Sequence, residues 1–240
     1  MNFLFWCENI TKNYNSEPVV QDINLELPSC GFISLVGSSG VGKTTLFNVL
    51  AGVDKPDAGS VFLKNENITG MCGKVSYMLQ KDLLLEYRTV IDNVILPLLI
   101  RGEKKKPARE HAAGFFKMFG LAGYENKYPN ELSGGMRQRA ALLRTCLSTS
   151  NSSGQVILLD EPFSALDAIT RRKMQSWYAE IAAEMKLSTI LITHDVEEAL
   201  TLSNTVYVMS GKPGLITQKI DVSKDFMQQK SIILEAIEDN

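Results

Sequence analysis

One glycine-rich loop constrains the fold of this chain more than any other feature: Gly37-Ser38-Ser39-Gly40-Val41-Gly42-Lys43-Thr44. It follows the apolar run from Gly31 to Val36 and precedes a segment, up to Ala51, whose apolar residues suit a helix. A strand, a glycine loop and a helix in this order form a phosphate-binding unit. Gly37 and Gly42 let the backbone curl, so that several N–H groups and the helix dipole point into one concavity. The sequence therefore predicts a nucleotide site here.

The residues that close this loop have the chemistry of phosphate and metal ligands. Lys43 supplies a flexible cation for the β- and γ-phosphates, and the Thr44 hydroxyl can ligate Mg²⁺. We assign Thr45 to the α-phosphate. A purely structural loop is the less favoured interpretation, because the flanking strand and helix match the expected context.

Two adjacent acids, Asp160 and Glu161, end a second apolar run, Val156 to Leu159. A carboxylate at the end of a buried strand needs a partner that offsets its desolvation, and Mg²⁺ is such a partner for Asp160. Glu161 follows at the carboxyl end of the strand, where parallel sheets bind ligands. There it can orient and activate an attacking water. A plain surface ion-pair site is the alternative.

A third motif, Ser133-Gly134-Gly135, precedes a segment with helical character. A serine and two glycines at a helix start expose N–H groups, a hydroxyl and a dipole end, which together suit an anion. The alternative is that the motif is only an ordinary cap in which Ser133 accepts from Met136, and we expect this cap to form in either case. Capping does not explain why two glycines are followed by Arg137-Gln138-Arg139.

These three motifs, in this order, resemble those of the ATP-binding cassette (ABC) family, whose signature Leu132 to Arg139 matches. The resemblance covers Phe3 to about Ile216. It implies that the nucleotide is ATP, bound with Mg²⁺. It also implies a head-to-tail homodimer, or a pair with a related ATPase subunit, that sandwiches two ATP molecules. In this arrangement Ser133 to Gly135 contact the γ-phosphate bound by the opposite subunit.

Four further positions match functional residues of that family. Gln80 resembles the glutamine that touches Mg²⁺ or the water, and His194 resembles the histidine that contacts the γ-phosphate. Asp167, in Ser164-Ala165-Leu166-Asp167, resembles the loop that crosses the dimer interface. Tyr14 matches the aromatic residue that stacks on adenine. A solvated glutamine, a structural histidine and a packing tyrosine are the alternatives.

The fold class that follows is α/β: a P-loop NTPase (RecA-like) core with a mostly parallel sheet, an N-terminal antiparallel β subdomain and an inserted α-helical subdomain. We predict one domain over residues 1–240, with the helical subdomain at about 81–147. A closing helix is expected at about 223–238. Within the insertion, a helix is predicted from Pro107 to Phe119, and a polar loop from Ser148 to Gly154.

Composition narrows the partners. A net charge of −2 argues against a nucleic-acid partner bound by bulk electrostatics. The most apolar later stretch, Leu83 to Ile100, is interrupted by charged residues and does not suit a bilayer span. A membrane role would therefore need a partner protein. The resemblance to the ABC family implies a peripheral protein at the cytoplasmic face of the cell membrane, acting through a transmembrane permease, and a soluble substrate-binding protein in the complex.

The predicted function is that of an ATPase subunit that drives import of a small solute. Val206 to Ile216 is similar to a strand–turn–strand of nitrate, sulfonate and taurine importer ATPases, although Pro213-Gly214 also suits any β-turn. Asp82 to Val94 is similar to that group too, except that Glu86-Tyr87 stands where Pro-Trp is common. Nitrate, a sulfonate or a pyrimidine-like compound is the expected cargo.

Several alternatives to this function stay open from the sequence. A non-transport ABC ATPase acting on nucleic acid or ribosomes, an ABC exporter ATPase and a small-molecule P-loop kinase all share parts of the pattern. The apolar residues from Leu83 to Leu96 suit either a groove for a partner helix or a plain subdomain core.

Overall fold

A computed structural model of the chain describes residues 3–148, 155–223 and 225–238. Its central sheet has six strands in the order β10-β9-β3-β8-β7-β6, and every neighbouring pair is parallel except β9 and β10. The strands of this sheet are β3 (Phe32–Val36), β6 (Ser76–Met78), β7 (Val156–Asp160), β8 (Ser188–Thr193), β9 (Thr205–Ser210) and β10 (Leu215–Asp221). All residues of β3, β7 and β8 are buried, as expected when both faces of a parallel sheet are covered. The predicted parallel core is confirmed.

A second, antiparallel sheet has the order β2-β1-β4-β5. Its strands are β1 (Phe3–Tyr14), β2 (Glu17–Pro28), β4 (Ala58–Leu63) and β5 (Glu66–Asn67). Alternating side chains of β1 and β2 point into a core shared with the central sheet. This sheet is the predicted N-terminal β subdomain.

Eight α-helices complete the described part of the chain. They are α1 (Lys43–Leu50), α2 (Val90–Val94), α3 (Leu96–Ile100), α4 (Lys105–Phe116), α5 (Gly134–Cys146), α6 (Ala168–Glu184), α7 (Val196–Leu202) and α8 (Phe226–Glu238). Helices α2 to α5 lie between β6 and β7 in the sequence and form the helical insertion. Their apolar faces pack in one core with β7, β8 and α6.

The observed bounds of two helices differ from the predicted ones. Helix α4 begins at Lys105 and ends at Phe116, and the residues after it form a turn that ends at Gly120 (φ 64°). Helix α8 begins at Phe226 rather than Ser223, and the Ser223 N–H, before the helix, donates to the Gln229 side chain (3.1 Å).

The predicted polar loop from Ser148 to Gly154 lies outside the described residues except for Ser148. None of the helices in the described ranges has both the length and the apolar character needed to span a bilayer.

Candidate functional site

The glycine-rich loop joins β3 to α1, and its shape depends on two glycines. A Cβ on Gly37 would lie 2.2 Å from the Met209 carbonyl oxygen. Gly42 has a φ of 108°, and a Cβ there would lie 2.6 Å from Val20. No other residue fits either position without a backbone shift. The close approach of strands β2 and β9 therefore fixes the curl of the loop.

The Lys43 ammonium folds back over this loop. It donates to the carbonyl oxygens of Gly37 (2.8 Å) and Ser38 (2.9 Å). Burial lowers the pKa of Lys43, and the nearby acids Glu161 and Asp160 partly oppose that shift. The side chain is thus a desolvated cation held at the loop, as a phosphate ligand requires.

A small cavity of about 240 Å³ opens beside the loop. Its lining residues are Val19, Ser39, Gly40, Gly42, Lys43, Thr44, Thr45, Glu161 and Ile192. The cavity brings the predicted phosphate ligands together with the second acid of the 160–161 pair. Its walls combine a cation, hydroxyls and the N-terminal end of α1, which is a set that suits a polyphosphate.

Asp160, the last residue of β7, faces Thr44 and Tyr77. The Thr44 hydroxyl donates to Asp160 Oδ2 (3.3 Å), and the Tyr77 hydroxyl lies 3.5 Å from the same oxygen. Burial is the main cause that raises the pKa of Asp160, and the charge of Glu161 adds to it, while both hydroxyls oppose it. A hydroxyl beside a buried carboxylate is a hard-oxygen donor pair that fits Mg²⁺.

Glu161 is the focus of the site. Its backbone adopts a φ of 45°, which is uncommon for a residue with a side chain, and its N–H donates to Ile192 (3.0 Å). Gln80 donates to Glu161 Oε2 (3.0 Å), and His194 Nδ1 lies 3.3 Å from Oε1. Strained backbone held by neighbouring strands is typical of a functional residue.

Gln80 and His194, both predicted from the family resemblance, therefore meet at the Glu161 carboxylate. Gln80 follows β6 and His194 follows β8, so both stand at the carboxyl edge of the parallel sheet. The Gln80 amide also lies 3.5 Å from the Ser164 hydroxyl. It reaches Glu161 rather than the Thr44–Asp160 pair, so its predicted role as a metal ligand stays a prediction.

Tyr14 lies at the end of β1, and it is not among the residues that line the cavity. Its hydroxyl donates to Asp54 (2.7 Å), and the Lys12 ammonium lies 5.3 Å from its ring centre. The residue is 43% exposed. Its predicted role against adenine stays a prediction.

The Ser133-Gly134-Gly135 motif opens α5 and does not line the cavity. Ser133 accepts from the Met136 N–H (3.4 Å), which confirms the predicted cap. A Cβ on Gly134 would lie 4.0 Å from Leu166, and one on Gly135 would lie 3.5 Å from Thr170. The motif thus adjoins the start of α6, where Asp167 caps the helix by accepting from Ile169 and Thr170 (3.1 and 3.0 Å).

The fold of this chain does not require a glycine at position 134 or at position 135. Both distances for an added Cβ correspond to ordinary van der Waals contact, and neither residue has a positive φ. This differs from Gly37 and Gly42, where the fold itself excludes a side chain. A bare backbone at an exposed helix start, with room for a methyl group, suits close approach by a molecule outside this chain.

The sequence analysis missed the contacts that hold the segment after Gln80. Arg137 donates to Asp82 (3.0 Å) and Glu86 (2.7 Å), and Arg144 donates to the carbonyl oxygens of Leu83 (2.8 Å) and Asp82. Two arginines of α5 therefore hold this segment in place through hydrogen bonds and ion pairs. No spacing in the sequence signals these pairs.

Tyr77 was also missed, because a tyrosine within a strand reads as a packing residue. Its ring packs edge-on against Phe47 of α1, with ring centres 5.9 Å apart. Its hydroxyl is thereby held near Asp160, where it supports the acid of the proposed metal site.

Comparisons with known proteins agree with this geometry. A family profile described as "ABC transporter" matches residues 20–164. The formylaminopyrimidine import ATP-binding protein of Halalkalibacterium halodurans is 40% identical over 199 residues, which cover 83% of this chain and 76% of the relative. An aliphatic sulfonates import ATP-binding protein of Bacillus cereus is 35% identical over 221 residues, which cover 92% and 85%.

Solved structures show the same fold. The dimeric structure of a bacterial ABC transporter cassette is 27% identical with a TM-score of 0.76, over 91% of this chain and 99% of the other. Another ABC transporter cassette reaches a TM-score of 0.85 at 21% identity, over 98% and 99%, and that likeness concerns the fold alone.

Proposed function

Since this chain belongs to the ABC transporter family, we propose that it is the ATP-hydrolysing subunit of an importer, working on a separate membrane protein. One observation carries the catalytic part of the proposal. The carboxylate of Glu161 stands at the cavity of the phosphate loop, with Gln80 at one oxygen and His194 at the other. A base held at both oxygens beside a phosphate cradle suits the activation of water for attack on a terminal phosphate.

The proposed roles follow from the positions of the side chains. The loop amides and Lys43 bind the phosphates, and Thr45 assists at the α-phosphate. Thr44 and Asp160 would hold Mg²⁺, with Gln80 as a further candidate ligand. When bound, that ion neutralises charge on the β- and γ-phosphates. Glu161 takes the proton of the attacking water, and His194 fixes the direction of the carboxylate.

Lys43→Ala is expected to weaken ATP binding by about 10- to 100-fold, because a hydrogen bond to a charged group contributes about 1.5–3 kcal/mol. Binding is measured by fluorescence with a labelled nucleotide. Lys55→Ala, at an exposed position away from the cavity, is the matched control and should bind as the unchanged chain does. Equal affinity in both variants would remove Lys43 from the phosphate site.

We propose that the second half of each ATP site comes from another subunit, either a second copy or a related ATPase. The support is the pair of glycines at 134 and 135, whose bare backbone no intrachain contact explains. Ser133 to Gly135 would meet the γ-phosphate held by the opposite phosphate loop, and Asp167 would face the same interface. Solved cassettes of this family include dimers.

A groove beside the Gln80 segment (residues 80–86) is the proposed docking site for the permease. It has a volume of about 470 Å³, and its apolar lining includes Leu83, Leu96 and Ile100. Arg144, which grips the Gln80 segment, lines the same groove. A helix bound there would contact both the helical insertion and the Gln80 segment, whose first residue contacts Glu161. Docking there would attach this chain peripherally, and we propose the cytoplasmic face of the membrane as its location.

Ile100→Asp is expected to reduce recovery of the co-expressed permease by about tenfold or more, because it places an unpaired charge in an apolar contact. Ile100 is 84% exposed, so the folded subunit and its basal ATPase activity should not change. Val53→Asp, at another apolar position that is 60% exposed, is the matched control. Undiminished recovery of the permease with Ile100→Asp would refute this docking site.

The proposed cargo is a small anion such as nitrate or a sulfonate, or a pyrimidine-like compound. Relatives carry names for import of formylaminopyrimidine, sulfate or thiosulfate, and aliphatic sulfonates. The test is to purify the subunit with its permease and a soluble substrate-binding protein, and then to screen solutes for stimulated ATP hydrolysis. Stimulation by sugars, peptides or lipids alone would refute the cargo and leave the ATPase proposal intact.

A further inference from the structure

Arg171, in the first turn of α6, contacts two loops: the loop that precedes α6 and the loop that joins β8 to α7. Its Nη2 donates to the carbonyl oxygen of Leu166 (3.1 Å), and its Nη1 lies 3.7 Å from Asp195 Oδ2. Leu166 belongs to the loop that precedes the Asp167 cap. Asp195 directly follows His194 and caps α7 by accepting from Glu197 and Glu198 (2.9 and 3.2 Å). One guanidinium therefore contacts both loops.

These two contacts complete a chain of neighbours from the signature motif to Glu161. The Leu166 side chain lies 4.0 Å from the position that a Cβ on Gly134 would take. At the other end, His194 lies 3.3 Å from the Glu161 carboxylate. Arg171 is the link between these ends, because it binds the backbone of one loop and the carboxylate of the other. Such a contiguous set of contacts can carry coupling between two sites.

Stability does not account for this arrangement. The side chains of Arg171 and Asp195 are 30% and 35% exposed, and ion pairs at such exposure contribute little to folding. Arg171 Nε is buried without an acceptor among the described residues, which costs free energy. The buried pair Gln175–Glu198 (2.7 Å) already joins α6 to α7.

The space around Arg171 leaves room for movement. A cleft of about 550 Å³ lies between α6, α7 and α8, and both Arg171 and Asp195 line it. The guanidinium thus spans the edge of a cleft rather than filling a packed core. A small displacement of the Leu166 carbonyl can reach Asp195 through the charged contact without repacking the helices.

We propose that Arg171 is a positioning residue that couples the dimer-facing loop Ser164–Asp167 to the orientation of His194. The proposal rests on the proposed function, since it assumes that a second subunit contacts this loop. Contact there fixes the Leu166 carbonyl, the guanidinium fixes Asp195, and His194 is then held against Glu161. A planar guanidinium can make both contacts at once, whereas the point charge of a lysine serves only one of them well.

The test compares Arg171→Gln with Arg172→Gln, the same change at the adjacent, exposed arginine. Arg171→Gln should lower ATP turnover about 3- to 10-fold, the scale expected for losing one charge-assisted hydrogen bond and one partly exposed ion pair. ATP affinity should be unchanged. Arg171→Lys should lie between the two. Arg172→Gln should match the unchanged chain in every measurement.

Asp195→Asn provides an independent variant, because asparagine caps a helix as well as aspartate but lacks the charge. It should reproduce the turnover loss of Arg171→Gln, and the double variant should lose no more, as expected for two members of one contact. Hydrogen exchange of the nucleotide-free protein gives a readout without ATP. In Arg171→Gln, amides at 193–197 should exchange faster, although the substitution lies on another helix.

Two results would overturn the proposal. One is exchange at 193–197 and turnover equal to those of Arg172→Gln. The other is a parallel loss of thermal stability, ATP affinity and turnover in Arg171→Gln, which would indicate a general structural role. If the unchanged chain does not hydrolyse ATP, the proposed function fails by itself. The exchange comparison then still decides whether Arg171 holds the His194 loop.

Discussion

Glu161→Gln should abolish steady-state ATP hydrolysis, with a fall of about 100- to 10,000-fold, while ATP still binds with its normal affinity. The glutamine keeps the size of the side chain and its place between Gln80 and His194, but it cannot take a proton from water. Phosphate release measures turnover, and equilibrium binding of labelled ATP measures affinity. The variant should also accumulate an ATP-bound dimer, visible as a shift in mass by light scattering.

Glu180→Gln is the matched control, because it makes the same change on an exposed part of α6. It should hydrolyse ATP at the normal rate. Normal turnover in Glu161→Gln would show that another group activates the water. Loss of ATP binding in Glu161→Gln would instead show that the carboxylate holds the nucleotide or its ion.

Gly135→Ala should prevent the ATP-dependent dimer and lower turnover at least about tenfold, while the monomer becomes slightly more stable. The added methyl group meets Thr170 at an ordinary contact distance of 3.5 Å, so the fold accepts it. A compatible Gly→Ala change raises stability by about 0.4–1 kcal/mol through the unfolded chain. The same methyl group would stand where a γ-phosphate must approach the helix start. Thermal denaturation of Gly135→Ala measures its stability, and phosphate release measures its turnover. Light scattering of the Glu161→Gln, Gly135→Ala double variant measures the ATP-dependent dimer.

Gly114→Ala in α4 is the control for this pair of effects. Gly114 is also helical and without positive φ, and nothing lies within 4 Å of an added Cβ. It should gain similar stability and keep full dimerisation and turnover. If Gly135→Ala still forms the dimer and hydrolyses ATP normally, the bare backbone at Gly135 has no role in a composite site.

Local patterns carried most of the fold and the outline of the site. The apolar run before Gly37 and the one before Asp160 predicted β3 and β7, because a strand buried on both faces has few polar residues. The glycines and hydroxyls of the loop predicted its phosphate chemistry, since these residue types are required within one short segment. Ser133 predicted its own cap for the same reason.

Helix boundaries were predicted less well, because a local pattern fits more than one first or last residue of a helix. Pro107 suited a helix start, yet α4 begins at Lys105, before it. The first N–H groups of a helix have no intrahelical acceptor, so a proline fits at several of the first positions. Likewise, the polar residues from Ser223 onward suited a helix start, yet α8 begins at Phe226.

The sequence by itself determined the phosphate loop, the paired acids and the order of the motifs, because each depends on residues adjacent in the chain. Only the tertiary structure decided which side chains meet. Tyr77 reaches Asp160 across 83 positions, and Arg137 reaches Asp82 across 55. The first contact follows from strand order, since β6 and β7 are neighbours in the parallel sheet, and the second follows from the packing of α5 beside the segment after β6. The space for a methyl group at Gly134 and at Gly135 is likewise a property of the tertiary structure, because only packing distances reveal it.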